Sequence, residues 1–330
     1  MSARLAVIGA GAWGTALAVR LAEAGRQVSL WARDPHRAAE IAVTRQNARL
    51  LPGVTLPDAL AVTADAARAL EGAGAVLLAV PVQALRGVAA AIAPHWPGAA
   101  PAVLCAKGID AETLRLPHET VRAVLAEVPV AVLTGPNFAH EIAAGLPAAA
   151  VLAAPDEAVR LHLASLLALP RLRLYPSADA TGAALGGAAK NVIAIAAGVV
   201  EGLGLGENAR AALITRGVAE LTRLVVAEGG RAETASGLSG LGDLVLTCTG
   251  GASRNHTLGI ALGRGEALAH VLAGRAGVTE GVATAPALVA RARRHGVELP
   301  IAEAVAALVG GRAEAAALAE ALLARAQRGE

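Results

Sequence analysis

LAVIGAGAWGTALA, residues 5–18, opens the chain with an apolar run, a glycine turn and the start of a second apolar stretch. Leu5-Ala6-Val7-Ile8 predicts a buried strand, and the turn leads into a helix predicted to run to about Ala24. Between them, Gly9-Ala10-Gly11-Ala12-Trp13-Gly14 is a GxGxxG run. Gly9 permits the tight turn, Gly11 lets the backbone approach a diphosphate, and Gly14 lets the helix pack closely on the strand. The diphosphate then sits at the helix N-terminus, where unpaired N–H groups and the helix dipole favour an anion. Such a run alone says little in a chain with 37 glycines. Set between a first strand and a first helix, it predicts a dinucleotide site.

Outward from this stretch the alternation continues. Gln27 to Trp31 predicts the second strand, with a helix beginning near Pro35. Ala75 to Val80, Ala102 to Ala106 and Val130 to Leu133 predict three more strands, and Ala148–Ala153 and Arg171–Tyr175 are candidates to extend the sheet. Strands separated by helix-length stretches imply βαβ units and a mainly parallel sheet. After about Ser177, long Ala/Leu/Val segments at helical spacing take over, broken by Gly-rich turns at 202–206, 237–242 and 250–251. The expected architecture is α/β: a dinucleotide-binding, Rossmann-like domain over 1–177 and an α-helical substrate and catalytic domain over 178–330. The Ala-rich tail from Glu303 to Arg328 fits one terminal helix.

Composition removes several function classes. The 330 residues are 55% hydrophobic but only 2% aromatic, and the formal charge is +2 with no basic tract. Nucleic-acid binding has little support. The Ala-rich runs are interrupted by Arg, Glu, Gly or Pro before about 18 residues, so no membrane span is expected. A strand-like N-terminus does not fit a signal peptide. Cys105 and Cys248 are the only cysteines and read as buried thiols of a cytoplasmic protein. The histidines show no metal-ligand spacing, and neither cysteine has a CxxC partner. His140 and His256 are expected to hydrogen-bond locally, and the Ala-rich helical half leaves room for a homodimer interface.

Lys and Arg together number 29, yet only Lys107 and Lys190 are lysine. Arg stays protonated at any accessible pH, whereas a buried lysine can lose and regain a proton. Lys107 follows a predicted strand, at the carboxyl edge where ligands bind in open α/β sheets. Gly135-Pro136-Asn137-Phe138-Ala139 follows the next strand in the same way. Lys190-Asn191 lies in an apolar, Gly-rich helical pattern suited to burial and to a general acid/base. Asp243 and Thr247, four apart, share a helix face. Ser253-Arg254-Asn255 offers a guanidinium beside a hydroxyl and an amide, a group suited to phosphate or carboxylate. The cofactor choice stays open. Arg33, at the end of the second strand, favours NADP(H) with NAD(H) tolerated. Asp34 either binds the ribose hydroxyls of NAD or caps the helix at Pro35.

With these residues placed, the chain resembles the bacterial-type NAD(P)-dependent glycerol-3-phosphate dehydrogenase family along nearly its whole length. The resemblance rests on GAGAWGTALA (9–18), AKGI (106–109), GPNFA (135–139), GGAAKNVIAIAAG (186–198), GLGENARAALITRG (204–217), GLSGLGDLVLTCT (237–249), SRN (253–255) and VTEGVATA (278–285). It implies Lys190 as the proton acceptor, with Lys107, Gly135, Asn137, Asp243, Ser253, Arg254 and Asn255 around glycerol phosphate. It implies Trp13, Arg33, Lys107, Ala139, Arg254, Val278 and Glu280 as dinucleotide contacts beside Gly9, Gly11 and Gly14. Asn137 stands where Ser or Thr is more usual, and Ala184 where Glu is common.

The implied reaction interconverts sn-glycerol 3-phosphate and dihydroxyacetone phosphate by reversible hydride transfer between the substrate's C2 and C4 of the nicotinamide, supplying glycerophospholipid synthesis. Lys190 exchanges the hydroxyl proton, Asp243 orients its amine, and closure of the helical domain excludes water. Burial and Asp243 pull the lysine in opposite directions, and both outcomes remain open. A related two-domain dehydrogenase acting on pantoate or 6-phosphogluconate is the competing enzyme; the long Asp243–Asn255 segment argues against it. A non-catalytic nucleotide sensor is the competitor from another class, opposed by Lys190, Asn191 and Asp243 occurring together.

Overall fold

The computed structural model describes residues 4–274 and 277–323. The described residues up to Lys107 and from Arg115 to Ala184 form one compact unit; Gly108–Leu114 and those from Leu185 on form a second.

The first unit alternates strand and helix. Its elements begin with β1 (Arg4–Ile8), α1 (Ala12–Glu23), β2 (Gln27–Trp31) and α2 (Pro35–Thr44). The pair β3 (Gln46–Asn47) and β4 (Leu51–Thr55), then β5 (Ala61–Thr63), α3 (Ala66–Leu70), β6 (Ala75–Leu78) and α4 (Val82–Ile92) follow. The unit continues with β7 (Ala102–Leu104), α5 (Pro117–Arg122), β8 (Val130–Thr134), α6 (Ala139–Ala143), β9 (Ala148–Ala153), α7 (Glu157–Leu166) and β10 (Leu172–Ser177). The main sheet runs β10-β9-β8-β7-β6-β1-β2-β5. Its pairs are parallel except β8 with β9, so the expected mainly parallel sheet is present. Alternate residues serve opposite faces: Leu5, Val7 and Leu77 join one apolar cluster, and Ala6, Ile8, Val76 and Leu78 the other. Burial on both faces is why these strands read as unbroken apolar runs.

The second unit is helical among its described residues. The chain reaches it along α8 (Ala180–Gly202), followed by α9 (Gly206–Ala227), α10 (Ala232–Ser236) and a π-helical turn at Leu238–Gly242. Then come α11 (Asp243–Thr249), α12 (Arg254–Gly263), α13 (Leu268–Ala273), α14 (Glu280–Arg294), α15 (Pro300–Val309) and α16 (Ala315–Leu323). Glycines four apart on α8 and α12 let the two backbones touch. A Cβ at Gly198 would stand 2.0 Å from the His256 carbonyl oxygen, and one at Gly202 2.3 Å from that of Ile260. In return, a Cβ at Gly259 would meet the Ile195 oxygen at 2.0 Å and one at Gly263 the Val199 oxygen at 2.6 Å. No side chain fits there.

One expectation needs correction, and the reason given for another needs revision. Helix α8 is, by length and composition, apolar enough to cross a membrane, with a hydropathy of 1.6 over its most apolar window. The whole of that window is buried inside the protein, so the apolarity serves the core. The tail is two helices rather than one: α15 ends before Gly310, and Gly311 adopts φ +65°, a conformation that stops a helix. Residues 324–328 of the expected helix lie outside the described residues.

Helix α15 has no side-chain cap of its own. Glu220 of α9, 6% exposed, supplies one: its Oε1 accepts from the Ile301 N–H at 2.8 Å and its Oε2 from Ala302 at 3.4 Å. Burial pushes this carboxyl up to about 7, against those two N–H groups and Arg223, with Glu303 adding to the rise.

Two outcomes follow from these contacts. Gly259→Val should lower the unfolding free energy by about 3 kcal/mol in denaturant titrations. Gly251→Ala, where a Cβ meets nothing within 4 Å, should change it by less than about 0.5 kcal/mol. For Glu220 the folded state holds the proton more tightly than the unfolded chain, so its contribution is full below the unfolded pKa and lost as pH rises through about 7. Wild type should therefore lose stability relative to Glu220→Gln between about pH 5 and 8.

Candidate functional site

In the first unit the glycine turn shows three separate constraints. Gly9 has φ +117°, and a Cβ on it would stand 2.5 Å from the Ala79 carbonyl oxygen. A Cβ on Gly14 would lie 2.0 Å from the Gly9 oxygen, which fixes α1 against β1. At Gly11 a Cβ would meet nothing within 4 Å, so this glycine is not required by protein packing. Gly11 is also the N-cap of α1, with no side-chain cap and no acidic residue in the first turn. An open face before an uncapped helix N-terminus fits the diphosphate of a dinucleotide.

The start of α2 differs. Asp34 is its N-cap, and its Oδ1 accepts from the His36 N–H at 2.9 Å and the Arg37 N–H at 3.4 Å. Of the two readings of Asp34, the capping one is therefore observed. Arg33 beside it is exposed. Trp13, half-buried, packs against the core at the start of α1. Near it, burial pushes the Cys105 thiol up to about 12, against weaker pulls from Trp13 and Lys107.

Adjacent parallel strands β7 and β8 bring Lys107 and Gly135 together at one sheet edge. The Lys107 Nζ donates to the Gly135 carbonyl at 3.0 Å. Gly135 has φ +140°, and a Cβ there would press on Ala150 Cα at 3.0 Å. Asn137 donates through Nδ2 to the Ala149 carbonyl at 3.0 Å. Its Oδ1 is buried with no hydrogen-bond partner among the described residues. Ala139 is the first residue of α6. His140 stacks on Phe138, ring centroids 5.7 Å apart, in place of the expected local hydrogen bond.

The second unit gathers the other candidates around α8. Lys190 Nζ lies 2.5 Å from Asp243 Oδ1, with side chains 10% and 0% exposed. It also donates to Thr247 Oγ1 at 3.1 Å, and that hydroxyl donates to the Asp243 carbonyl at 2.6 Å. Asp243 and Thr247 open and continue α11 one turn apart, as their spacing predicted. Asn255 is held from two sides: its Nδ2 donates to Asn191 Oδ1 at 2.9 Å, and its Oδ1 accepts from the Gly281 N–H at 3.0 Å. Because a backbone N–H can only donate, Gly281 fixes the orientation of the Asn255 amide.

Ser253 caps α12, accepting from the His256 N–H at 3.2 Å. His256 Nε2 lies 3.3 Å from Glu201 Oε2, and burial pulls this imidazole down, with Glu201 opposing and Arg210 assisting. A Cβ on Gly277, at φ +86°, would lie 2.3 Å from Arg254 Nη1, so the guanidinium passes directly over this glycine. Val278 is 46% exposed, and Glu280 is the first residue of α14. Ala184, buried at 4% exposure, lies in α8.

Residues 4–160 match the family model for the NAD-dependent glycerol-3-phosphate dehydrogenase N-terminus, and residues 179–320 match the model for its C-terminus. The chain belongs to the NAD-dependent glycerol-3-phosphate dehydrogenase family. A glycerol-3-phosphate dehydrogenase [NAD(P)+] of Rhodospirillum rubrum is 53% identical over 99% of this chain and 93% of its own length. One from Acidiphilium cryptum is 58% identical over 98% of each. The crystal structure of glycerol-3-phosphate dehydrogenase from Coxiella burnetii matches with a TM-score of 0.95 at 38% identity, covering 98% of this chain and 99% of that one. A ketopantoate reductase from Ralstonia eutropha shares the fold, with a TM-score of 0.62 at 20% identity over 96% and 99%.

Sequence reasoning missed the brace beneath the glycine turn. The Ala10 carbonyl accepts from both Asn47 Nδ2 and Arg37 Nη2, each at 3.0 Å. Asn47, 2% exposed, also donates to Thr15 Oγ1 at 2.8 Å and accepts from Arg37 at 2.8 Å. Neither residue belongs to a motif, and no local spacing announces a partner 37 positions away.

The glycine geometry separates what folding needs from what ligand binding needs. Gly11→Val should keep the unfolding free energy within about 1 kcal/mol of wild type. In fluorescence titrations it should weaken NADPH binding by at least about tenfold. Gly14→Val should instead fail in the unfolding measurement itself. Wild-type NADPH affinity in Gly11→Val would contradict the assignment of this face.

Proposed function

We propose that the chain catalyses the reversible, NAD(P)-dependent interconversion of sn-glycerol 3-phosphate and dihydroxyacetone phosphate by hydride transfer between the substrate's C2 and the nicotinamide, in the cytoplasm, as a source of glycerol 3-phosphate for glycerophospholipid synthesis. The buried Lys190–Asp243–Thr247 cluster, in a chain of this family, carries the reading. When bound, the nicotinamide accepts or delivers the hydride at its C4. The chain supplies the proton. In oxidation the neutral Lys190 amine takes the C2 hydroxyl proton; in reduction its ammonium returns a proton to the C2 oxygen. Asp243 stabilises the ammonium that burial opposes, and Thr247 fixes the direction of the amine.

The remaining roles divide by unit. Residues 1–177 bind the dinucleotide through Gly9, Gly11, Trp13, Gly14, Arg33, Lys107 and Ala139, with Arg254, Val278 and Glu280 contributed by 178–330. Ser253, Arg254 and Asn255 grip the substrate phosphate, with Lys107, Gly135 and Asn137 as further substrate contacts. Gripping the phosphate positions C2 and adds no bond-making chemistry of its own. NADP(H) is preferred and NAD(H) tolerated, because Asp34 Oδ1 is occupied in capping α2 while the neighbouring Arg33 is exposed and suits a ribose phosphate.

The test is NADPH oxidation with dihydroxyacetone phosphate, set against ketopantoate, for wild type and Lys190→Ala. Wild type should turn over dihydroxyacetone phosphate alone, and the variant should lose at least about 100-fold in kcat while keeping its NADPH affinity. Absent turnover in wild type, or an unimpaired variant, overturns the mechanism.

A further inference from the structure

The chain leaves the first unit directly after Lys107. The stretch Gly108–Leu114 packs with the helical unit, and the chain returns at Arg115. This excursion forms a strap whose first residue is bonded to Lys107. Gly108 has φ +150°, which makes the step from lysine to strap a glycine-dependent turn. Within the strap Ile109 is fully buried and Asp110 is 3% exposed. Asp110 Oδ1 accepts from the Glu112 N–H at 3.1 Å, the Thr113 N–H at 2.8 Å and the Thr113 hydroxyl at 2.9 Å. The Leu114 N–H donates back to the Asp110 carbonyl at 2.9 Å. Asp110 thus ties residues 110–114 into one self-bonded turn, joined to Lys107 through buried Ile109 and Gly108.

Its far end is clamped. Leu114 takes φ +61°, a left-handed conformation that a leucine adopts only when its surroundings impose it. Its carbonyl accepts from Arg291 Nη1 of α14 at 2.7 Å, a contact between residues 177 positions apart. The same guanidinium forks onto Glu228, which follows α9: Nε lies 2.8 and 3.0 Å from the two carboxylate oxygens, and Nη2 2.5 Å from Oε2. These two side chains are 10% and 3% exposed. A planar guanidinium can serve a carboxylate along one edge and a carbonyl along another; an ammonium cannot hold both in that geometry. Charge neutralisation alone would not require the Leu114 contact.

We propose that Arg291, aligned by Glu228, is a positioning residue for Lys107, acting through the Gly108–Leu114 strap. The ion pair fixes the Leu114 end, and the strap transmits that position to the lysine. The inference rests on the reading of Lys107 as a group that contacts substrate and cofactor. Arg291 is not among the residues assigned to substrate or cofactor; its guanidinium is bonded to Glu228 and the Leu114 carbonyl.

A double-mutant cycle on the full chain tests it: wild type, Arg291→Lys, Lys107→Ala and the double variant. Each is read as kcat/KM for dihydroxyacetone phosphate and, separately, as that ligand's dissociation constant. Arg291→Lys keeps a charge beside Glu228 but gives up the fork. It should weaken binding about tenfold in the wild-type background. In the Lys107→Ala background the same change should cost less than about twofold. A merely structural role would instead give equal losses in both backgrounds, which overturns the proposal. So does unchanged affinity in Arg291→Lys. Full activity in Lys107→Ala overturns the reading of the lysine and the strap with it, an outcome distinct from simple additivity. If Arg291→Lys does not fold, the doubly neutral Glu228→Gln/Arg291→Gln pair takes its place in the same cycle, with the same expected outcomes.

Discussion

The backbone-to-backbone contact between α8 and α12 is the constraint on which the helical unit depends. Gly198 and Gly202 face Gly259 and Gly263 so closely that an added Cβ on any of them would stand 2.6 Å or less from a carbonyl oxygen. Close approach gives many weak dispersion contacts, and a single methyl group would forfeit them over the whole interface. The contact also sets the register between the two helices. That register brings Asn191, one residue from Lys190, against Asn255, one residue beyond Arg254. Gly281 repeats the device at the start of α14: a Cβ there would lie 2.7 Å from both the Asn191 carbonyl oxygen and Asn255 Oδ1. The glycines of this half are thus the means by which charged and amide side chains on three helices are held in one arrangement.

Within that frame the proposed function gives the Lys190–Asp243 pair a role that stability does not. Taking two charges out of water costs several kcal/mol each, and their attraction repays this only with good geometry and further hydrogen bonds. Thr247 supplies one such bond. An apolar pair of similar volume would serve the fold as well or better, so stability alone does not account for a lysine in a helix of hydropathy 1.6. The proposed proton exchange does. The two lysines of an arginine-rich chain therefore differ in kind: Lys190 is buried against a carboxylate, whereas Lys107 reaches a backbone carbonyl at a strand end.

What the sequence disclosed follows from how local each cause is. Strands buried on both faces leave continuous apolar runs, so β1, β2, β6, β7 and β8 were visible, and so was the glycine turn whose conformation is a property of three residues. The i, i+4 spacing of Asp243 and Thr247 was legible because α11 begins at Asp243. The reversal of β9 against β8, the β3–β4 pair and the break at Gly310–Gly311 depend on pairing partners or on one backbone conformation, and leave no periodic trace. The Asn47–Arg37 brace and the Arg291 clamp lie further out of reach. Each joins residues far apart in the chain through hydrogen bonds to backbone carbonyls, and a carbonyl looks the same whatever residue bears it.

The central claim is that Lys190, fixed by Asp243 and Thr247, exchanges the proton with the substrate's C2 oxygen. A crystal structure of the chain with NADP+ and sn-glycerol 3-phosphate tests this most directly. The account predicts Lys190 Nζ within about 2.6–3.2 Å of the C2 hydroxyl oxygen, with the phosphate on Arg254 and Asn255. A C2 hydroxyl that faces another ionisable group, with Lys190 still turned wholly to Asp243 and Thr247, would contradict it.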